Sequence, residues 1–115
     1  GAEPSLSLVM NQFGGLPIII AIAGDQILVD SVLVYASQVK DPQSFNETVL
    51  RSRDLFPLSS IGIETMPNGE TVYSMFGALS AASSLTVIVH EVLTLADNVI
   101  RAADAYEDLL TVDSQ

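Results

Sequence analysis

Residues 45–84, FNETVLRSRDLFPLSSIGIETMPNGETVYSMFGALSAASS, read as a helix, a tight connection, a hairpin and the opening of a second helix. Phe45, Val49 and Phe56, with Leu50 and Leu55 beside them, make an apolar stripe at helical spacing. Asp41-Pro42 offers an N-cap with proline in the first turn, and Ser44-x-x-Glu47 offers a capping box if the helix starts later. Pro57 is expected to end the helix, because proline has no amide hydrogen and crowds the turn before it. The period then drops to two. Ile61 and Ile63 alternate with Gly62 and Glu64, and Thr71, Tyr73 and Met75 alternate with Val72, Ser74 and Phe76. Between these runs Pro67-Asn68-Gly69 is a hairpin signal, with Asn-Gly tolerating positive φ in a tight turn.

Toward the N-terminus the period stays at two. Leu6, Leu8 and Met10 alternate with polar Ser5, Ser7 and Asn11, as in a half-buried strand. After the Gly14-Gly15 turn signal, residues 16–23 are apolar on both alternating sets, the pattern of a strand covered on both sides. Pro17 removes one ladder donor close to the strand's start, where that is tolerated best. Gly24-Asp25-Gln26 reads as a turn and residues 27–36, ILVDSVLVYA, as a third strand. A helical reading of 16–36 conflicts with the β-branched content and the Gly-Asp break.

Toward the C-terminus one long helix is expected from about Ser84 to Leu110. Leu85, Ile88, Val92, Leu95, Val99, Ala103 and Tyr106 form its apolar stripe, and Glu91, Asp97, Arg101, Asp104, Glu107 and Asp108 its solvent face. Asp97 and Arg101 stand four apart, as a supporting ion pair does. The order β-β-β-α-β-β-α predicts a two-layer α+β domain over residues 5–110. It has a five-stranded antiparallel sheet with helices packed on one face. Residues 1–4 are expected to be a tag remnant and an unstructured start.

Charge narrows the function. Fourteen acidic residues face four basic ones, for a net charge of -10 over 115 residues. A nucleic-acid binder neutralises several phosphates with Lys and Arg, so four scattered cations argue against that class. The same field is repelled by anionic lipid headgroups and attracts a basic protein segment. No run of residues approaches the roughly 20 apolar positions of a membrane-spanning helix, so direct insertion is not expected. The chain has no cysteine, which removes thiol catalysis, thiolate zinc sites and disulfides.

Little catalytic chemistry remains. His90 is the one histidine and has neither a second His nor an acidic residue four positions on, where Thr94 stands; half-exposure on a helix flank is the ordinary fate of such a residue. Ser59 and Ser60 have no base and orienting group to activate a nucleophile, so Pro57-Leu58-Ser59-Ser60 reads as helix exit and strand entry. Gly77-Ala78-Leu79-Ser80 lacks the spacing and lysine of a phosphate loop. Asp104, Glu107 and Asp108 share a helix face, but a dedicated cation site draws ligands from a second element. No catalytic, cofactor or metal residue is assigned. Arg51 reads either as a fork for a partner's carboxylate or, more simply, as the i,i+4 partner of Glu47.

Several short runs carry a family resemblance: Leu50-Arg51, Pro57-Leu58-Ser59-Ser60, Gly62-Ile63, Phe76-Gly77-Ala78-Leu79-Ser80, Ser83-Ser84-Leu85 and Leu95-Ala96-Asp97-Asn98. Across about residues 5–105 the chain resembles the YjfI family of small bacterial proteins, a domain of unknown function. The resemblance implies a cytoplasmic protein, encoded beside a coiled-coil relative of phage-shock protein A, and a family helix before the first strand that this chain largely lacks. The element order is also similar to type III secretion chaperones and YbjN-like proteins, which dimerise and bind polypeptide.

The expected role is therefore a non-enzymatic interaction module, a homodimer that binds a basic or coiled-coil protein. Ile19, Val32, Val34 and Val72, with Arg51, are its candidate interaction residues, since the strands carry more apolar positions than one helical layer covers. The alternative is a small-molecule binder, or a carboxylate- or metal-dependent enzyme without a recognisable motif.

Overall fold

The computed structural model describes residues 5–111, and the expected tag remnant at 1–4 lies outside them. Five strands, β1 (Ser5–Met10), β2 (Leu16–Ala23), β3 (Gln26–Tyr35), β4 (Ser60–Thr65) and β5 (Thr71–Ser80), form one antiparallel sheet in the order β1-β2-β3-β5-β4. Helix α1 (Pro42–Arg51) joins β3 to β4, and helix α2 (Leu85–Ala105) follows β5. The α+β order, the five antiparallel strands and the two helices against the sheet are as the periodicities predict.

Local chemistry accounts for most boundaries. Gly24 takes φ 63° at the first central position of the two-residue β2–β3 turn, which matches the twist of the flanking strands. Asp41 caps α1 by accepting from the Ser44 amide at 3.4 Å with Pro42 behind it, so the Ser44–Glu47 capping box is not used. Ser84 caps α2 in the same manner through the Val87 amide.

Several expectations are corrected. Helix α1 ends at Arg51, six residues before Pro57: the Ser52 hydroxyl donates to the Thr48 carbonyl, and a 3-10 turn over Arg53–Leu55 follows. In the β4–β5 hairpin only Gly69 has positive φ, at 90°. Asn68 instead accepts from the Glu70 amide through its side chain, giving a longer loop closed between Met66 and Glu70. Helix α2 stops at Ala105, and Glu107–Leu109 is a 3-10 turn.

Both helices lie on one face. Ile18, Val29, Val34, Tyr73 and Met75 of the strands meet Phe45 and Val49 of α1 and Val92, Leu95, Ala96, Val99 and Ala102 of α2. An aromatic cluster ties the two helices to the sheet. Phe45 meets Tyr73 edge-on at 4.7 Å and Tyr106 at 5.7 Å, and Tyr106 meets Phe56 at 6.0 Å. Such pairs add about 0.5–1.5 kcal/mol each beyond their buried area.

Candidate interaction surface

Strand register sorts the side chains into two faces. Leu8, Ile18, Ile20, Val29, Met75 and Ile61 lie beneath the helices, so their neighbours Ile19, Leu28, Asp30, Ser74, Phe76 and Glu64 occupy the opposite face. No helix of the described residues covers that opposite face. It is nonetheless apolar over much of its area: Ile19 is 50% exposed, Phe76 36% and Val9 64%, and Leu28 and Val32 are half-buried between them. An open depression of 340 Å³ runs across it, with Ile19, Ala21, Leu28, Val32 and Met66 as walls and Asp30 and Glu64 within them.

Two carboxylates therefore sit inside an apolar field. The buried Ser74 hydroxyl donates to Glu64 Oε1 at 2.6 Å. Asp30 is pushed up to about 6, first by desolvation, then by the charge of Glu64, with the neighbouring Ser74 hydroxyl acting the other way. The sequence reading missed this pair because Asp30 and Glu64 lie on strands far apart in the chain. A single acidic residue within ILVDSVLVYA was the one available signal.

The second apolar surface is a groove between α1 and the edge strand β4. Adjoining cavities of 200 and 280 Å³ share Val49, Leu50 and Ile61, with Tyr73 and Phe56 at their floors. Leu50 and Ile63 on its rim are 73% and 58% exposed. The Tyr73 hydroxyl donates to Asn46 Oδ1 beside it, and burial pushes that phenol up.

Of the five candidate interaction residues, Ile19 and Val32 lie together on the uncovered face. Val34 is 6% exposed and belongs to the core beneath the helices, because an irregularity in the β3–β5 pairing between Val32 and Val34 turns it to the covered side. Val72 has no exposed surface. Neither can present itself to a partner. Arg51 is exposed and paired with Glu47 at 2.7 Å, the simpler of its two readings.

Helix α2 departs from its expected faces. Glu91, placed on the solvent side by sequence, is 4% exposed and lies against Gly77 of β5, where burial pushes its carboxyl up despite the nearby charge of His90. Asn98 is buried too, donating to the Pro57 carbonyl at 2.8 Å and the Ser59 hydroxyl at 2.9 Å. Ala102, not Ala103, faces the core, and Leu85 is 76% exposed. His90 is exposed. Arg101 approaches Asp97 at 3.9 Å and reaches Asn98 Oδ1 and the Leu55 carbonyl. Asp104, Glu107 and Asp108 are all exposed, and among the described residues no three of His, Cys, Asp and Glu are grouped to hold a metal ion.

The comparisons meet this geometry at the level of family and fold. A family model described as "Uncharacterized protein conserved in bacteria (DUF2170)" matches residues 1–110. The chain belongs to that family. It is 36% identical over 107 residues to the protein YjfI of Escherichia coli K12, covering 93% of this chain and 80% of that one, so the resemblance read from the motifs holds. Among solved structures, E. coli YbjN superposes with a TM-score of 0.62 at 14% identity, over 94% of this chain and 81% of that one. A chain of the ExsC–ExsE complex superposes at 0.56 and 15%, over 97% and 80%. At these identities the likeness concerns the fold. Among the described residues no helix is long and apolar enough to cross a membrane.

Proposed function

We propose that this family member is a non-enzymatic, cytoplasmic interaction module, acting over residues 5–110 as a homodimer that binds another protein. The observation that carries the reading is the uncovered sheet face: five strands pair into one layer, both helices lie on one side, and the other side keeps an apolar field around Ile19, Leu28 and Phe76. A sheet face of that composition is ordinarily buried by a further layer. The fold likeness to a chain of the ExsC–ExsE complex, itself an assembly of two proteins, supports the same reading.

The second copy is better accommodated in the groove between α1 and β4, which has exposed Leu50 and Ile63, no carboxylate in its lining and an unpaired strand edge. That leaves the sheet face for the partner. Cross-linking in cells producing the native protein, followed by identification of attached chains, tests the proposal. A recurrent protein partner is the expected result. Recovery of the protein free of any captured chain, or with a tightly retained small molecule in its place, would overturn it.

A further inference from the structure

A second copy of this chain or a segment of another protein can bury the open sheet face, and charge decides between them. The four cations are Lys40 after β3, Arg51 on α1, Arg53 in the turn after it and Arg101 on α2. None belongs to a strand. A second copy presenting the same face would therefore bring Asp30 and Glu64 toward another Asp30 and Glu64, with no positive charge between them. Like charges apposed in an apolar interface oppose association. A cation from a different chain has the opposite effect, since Asp30 is already partly desolvated by its surroundings and Ser74 holds the Glu64 carboxylate in place.

Resting on the interaction reading above, we propose that the open face takes an amphipathic helix from another protein, its apolar stripe lying along Ile19, Leu28, Val32 and Phe76 and one Lys or Arg within that stripe seated between Asp30 and Glu64. The cation makes the site selective as well as adhesive. A helix carrying a neutral side chain there leaves the two carboxylates covered and unpaired, and an acidic one is repelled.

The probe is a synthetic amphipathic helical peptide of roughly 18 residues, five turns, with a single lysine in its apolar stripe. Two controls carry norleucine or glutamate in place of that lysine. Binding is followed by amide chemical shifts of the full chain at neutral pH. The expected result is that the lysine peptide perturbs Ile19, Leu28, Asp30, Glu64 and Phe76. Norleucine weakens binding about tenfold or more, glutamate abolishes it, and the Asp30→Asn/Glu64→Gln variant loses the preference for lysine. Asp30→Asn removes a charge that its partial burial disfavours and Glu64→Gln keeps an oxygen that can accept from Ser74, so loss of structure is not the variant's expected effect, and its amide spectrum checks this directly.

Equal affinity for lysine and norleucine, or perturbation confined to the α1–β4 groove, overturns the proposal while leaving the interaction reading intact. Dimerisation of the native protein through its sheet face, with Asp30 and Glu64 in place, would give the face to a second copy. Perturbation by Ca²⁺ alone at submillimolar concentration would give it to a metal; either outcome overturns the proposal. If no peptide binds but cross-linking captures a native partner, this inference alone falls. If cross-linking captures nothing either, the interaction reading falls with it.

Discussion

Among the described residues, Asp30 and Glu91 are the carboxyls whose surroundings favour the neutral form, one on the open face and one beneath α2. Their linkage to stability has a definite sign. Asp30 ionises near 3.8 in the unfolded chain and near 6 in the folded one, so between those values the folded state holds a proton that the unfolded state has lost. Stability then falls as pH rises through that window and stays lowered above it. Replacing Asp30 with Asn should stabilise the protein at pH 8 by about 1 kcal/mol, the exposure of the group reducing the effect, and by almost nothing at pH 3.5. Thermal midpoints of both proteins across pH 3.5–8 would check it, and a pH-independent difference would contradict the assignment. For Glu91→Gln the direction is the same, with stabilisation at high pH that vanishes as the carboxyl protonates. Gly77 has a separate constraint: a methyl there would overlap the Glu91 carboxylate and lie 2.9 Å from the Leu58 carbonyl oxygen. Gly77→Ala should cost about 1–3 kcal/mol by overpacking, measured by urea unfolding. Glu91→Ala added to it should recover only part, because the Leu58 backbone stays. Gly77 lies inside β5, and close approach of another element is what requires a glycine there.

At the scale of elements, periodicity predicts where the chain runs but not which polar residues it buries. Every strand and both helices were legible, because apolar side chains at period two or 3.6 report directly which face is covered. Glu91 and Asn98 were not, although they stand seven apart and so share the stripe of Val92, Leu95 and Val99. The spacing was the signal, and their polarity hid it. Asn98 joins α2 to the segment leaving α1: its amide holds the Pro57 carbonyl and Ser59 hydroxyl, its oxygen takes Arg101, and Arg101 also reaches the Leu55 carbonyl and stacks 5.8 Å from the Phe56 ring. This contact fastens the loop that places β4 at the sheet edge. Asn98→Leu should destabilise by about 1–3 kcal/mol, since the part-buried Pro57 carbonyl loses its donor, whereas Ser59→Ala should cost under about 1 kcal/mol. Chemical denaturation gives both values, and equal effects would refute the idea that the Pro57 carbonyl is the essential partner. Hydrogen exchange should speed up first in β4 of the Asn98 variant.

Over the whole molecule the candidate site was legible only in part, for a reason of topology. Ile19 and Val32 share the uncovered face as their apolar surplus implied, but Val34 is turned into the core by the irregular β3–β5 pairing and Val72 is covered completely. Counting apolar positions says that a face is left over; it does not say which strand shifts register or that Asp30 and Glu64 meet there across β5. Nor does it say that a second apolar surface, the α1–β4 groove, forms between elements adjacent in sequence. These two surfaces have opposite electrostatic character, and that separates their roles experimentally. The groove has no carboxylate lining it, and Arg53 stands at its wall. Packing a second copy there buries Leu50 and Ile63 without bringing the acidic centres together. Leu50→Asp should therefore shift a dimer of the native protein toward monomer by tenfold or more, about 1.4 kcal/mol per tenfold. Leu50 is mostly exposed in one copy, so its stability as a monomer should barely change. Ile19→Asp on the sheet face should leave the dimer constant unchanged while abolishing partner capture. Sedimentation equilibrium over micromolar to millimolar concentrations distinguishes them. A monomer throughout that range ends the dimer reading, and dissociation caused by Ile19→Asp rather than Leu50→Asp would exchange the roles of the two surfaces.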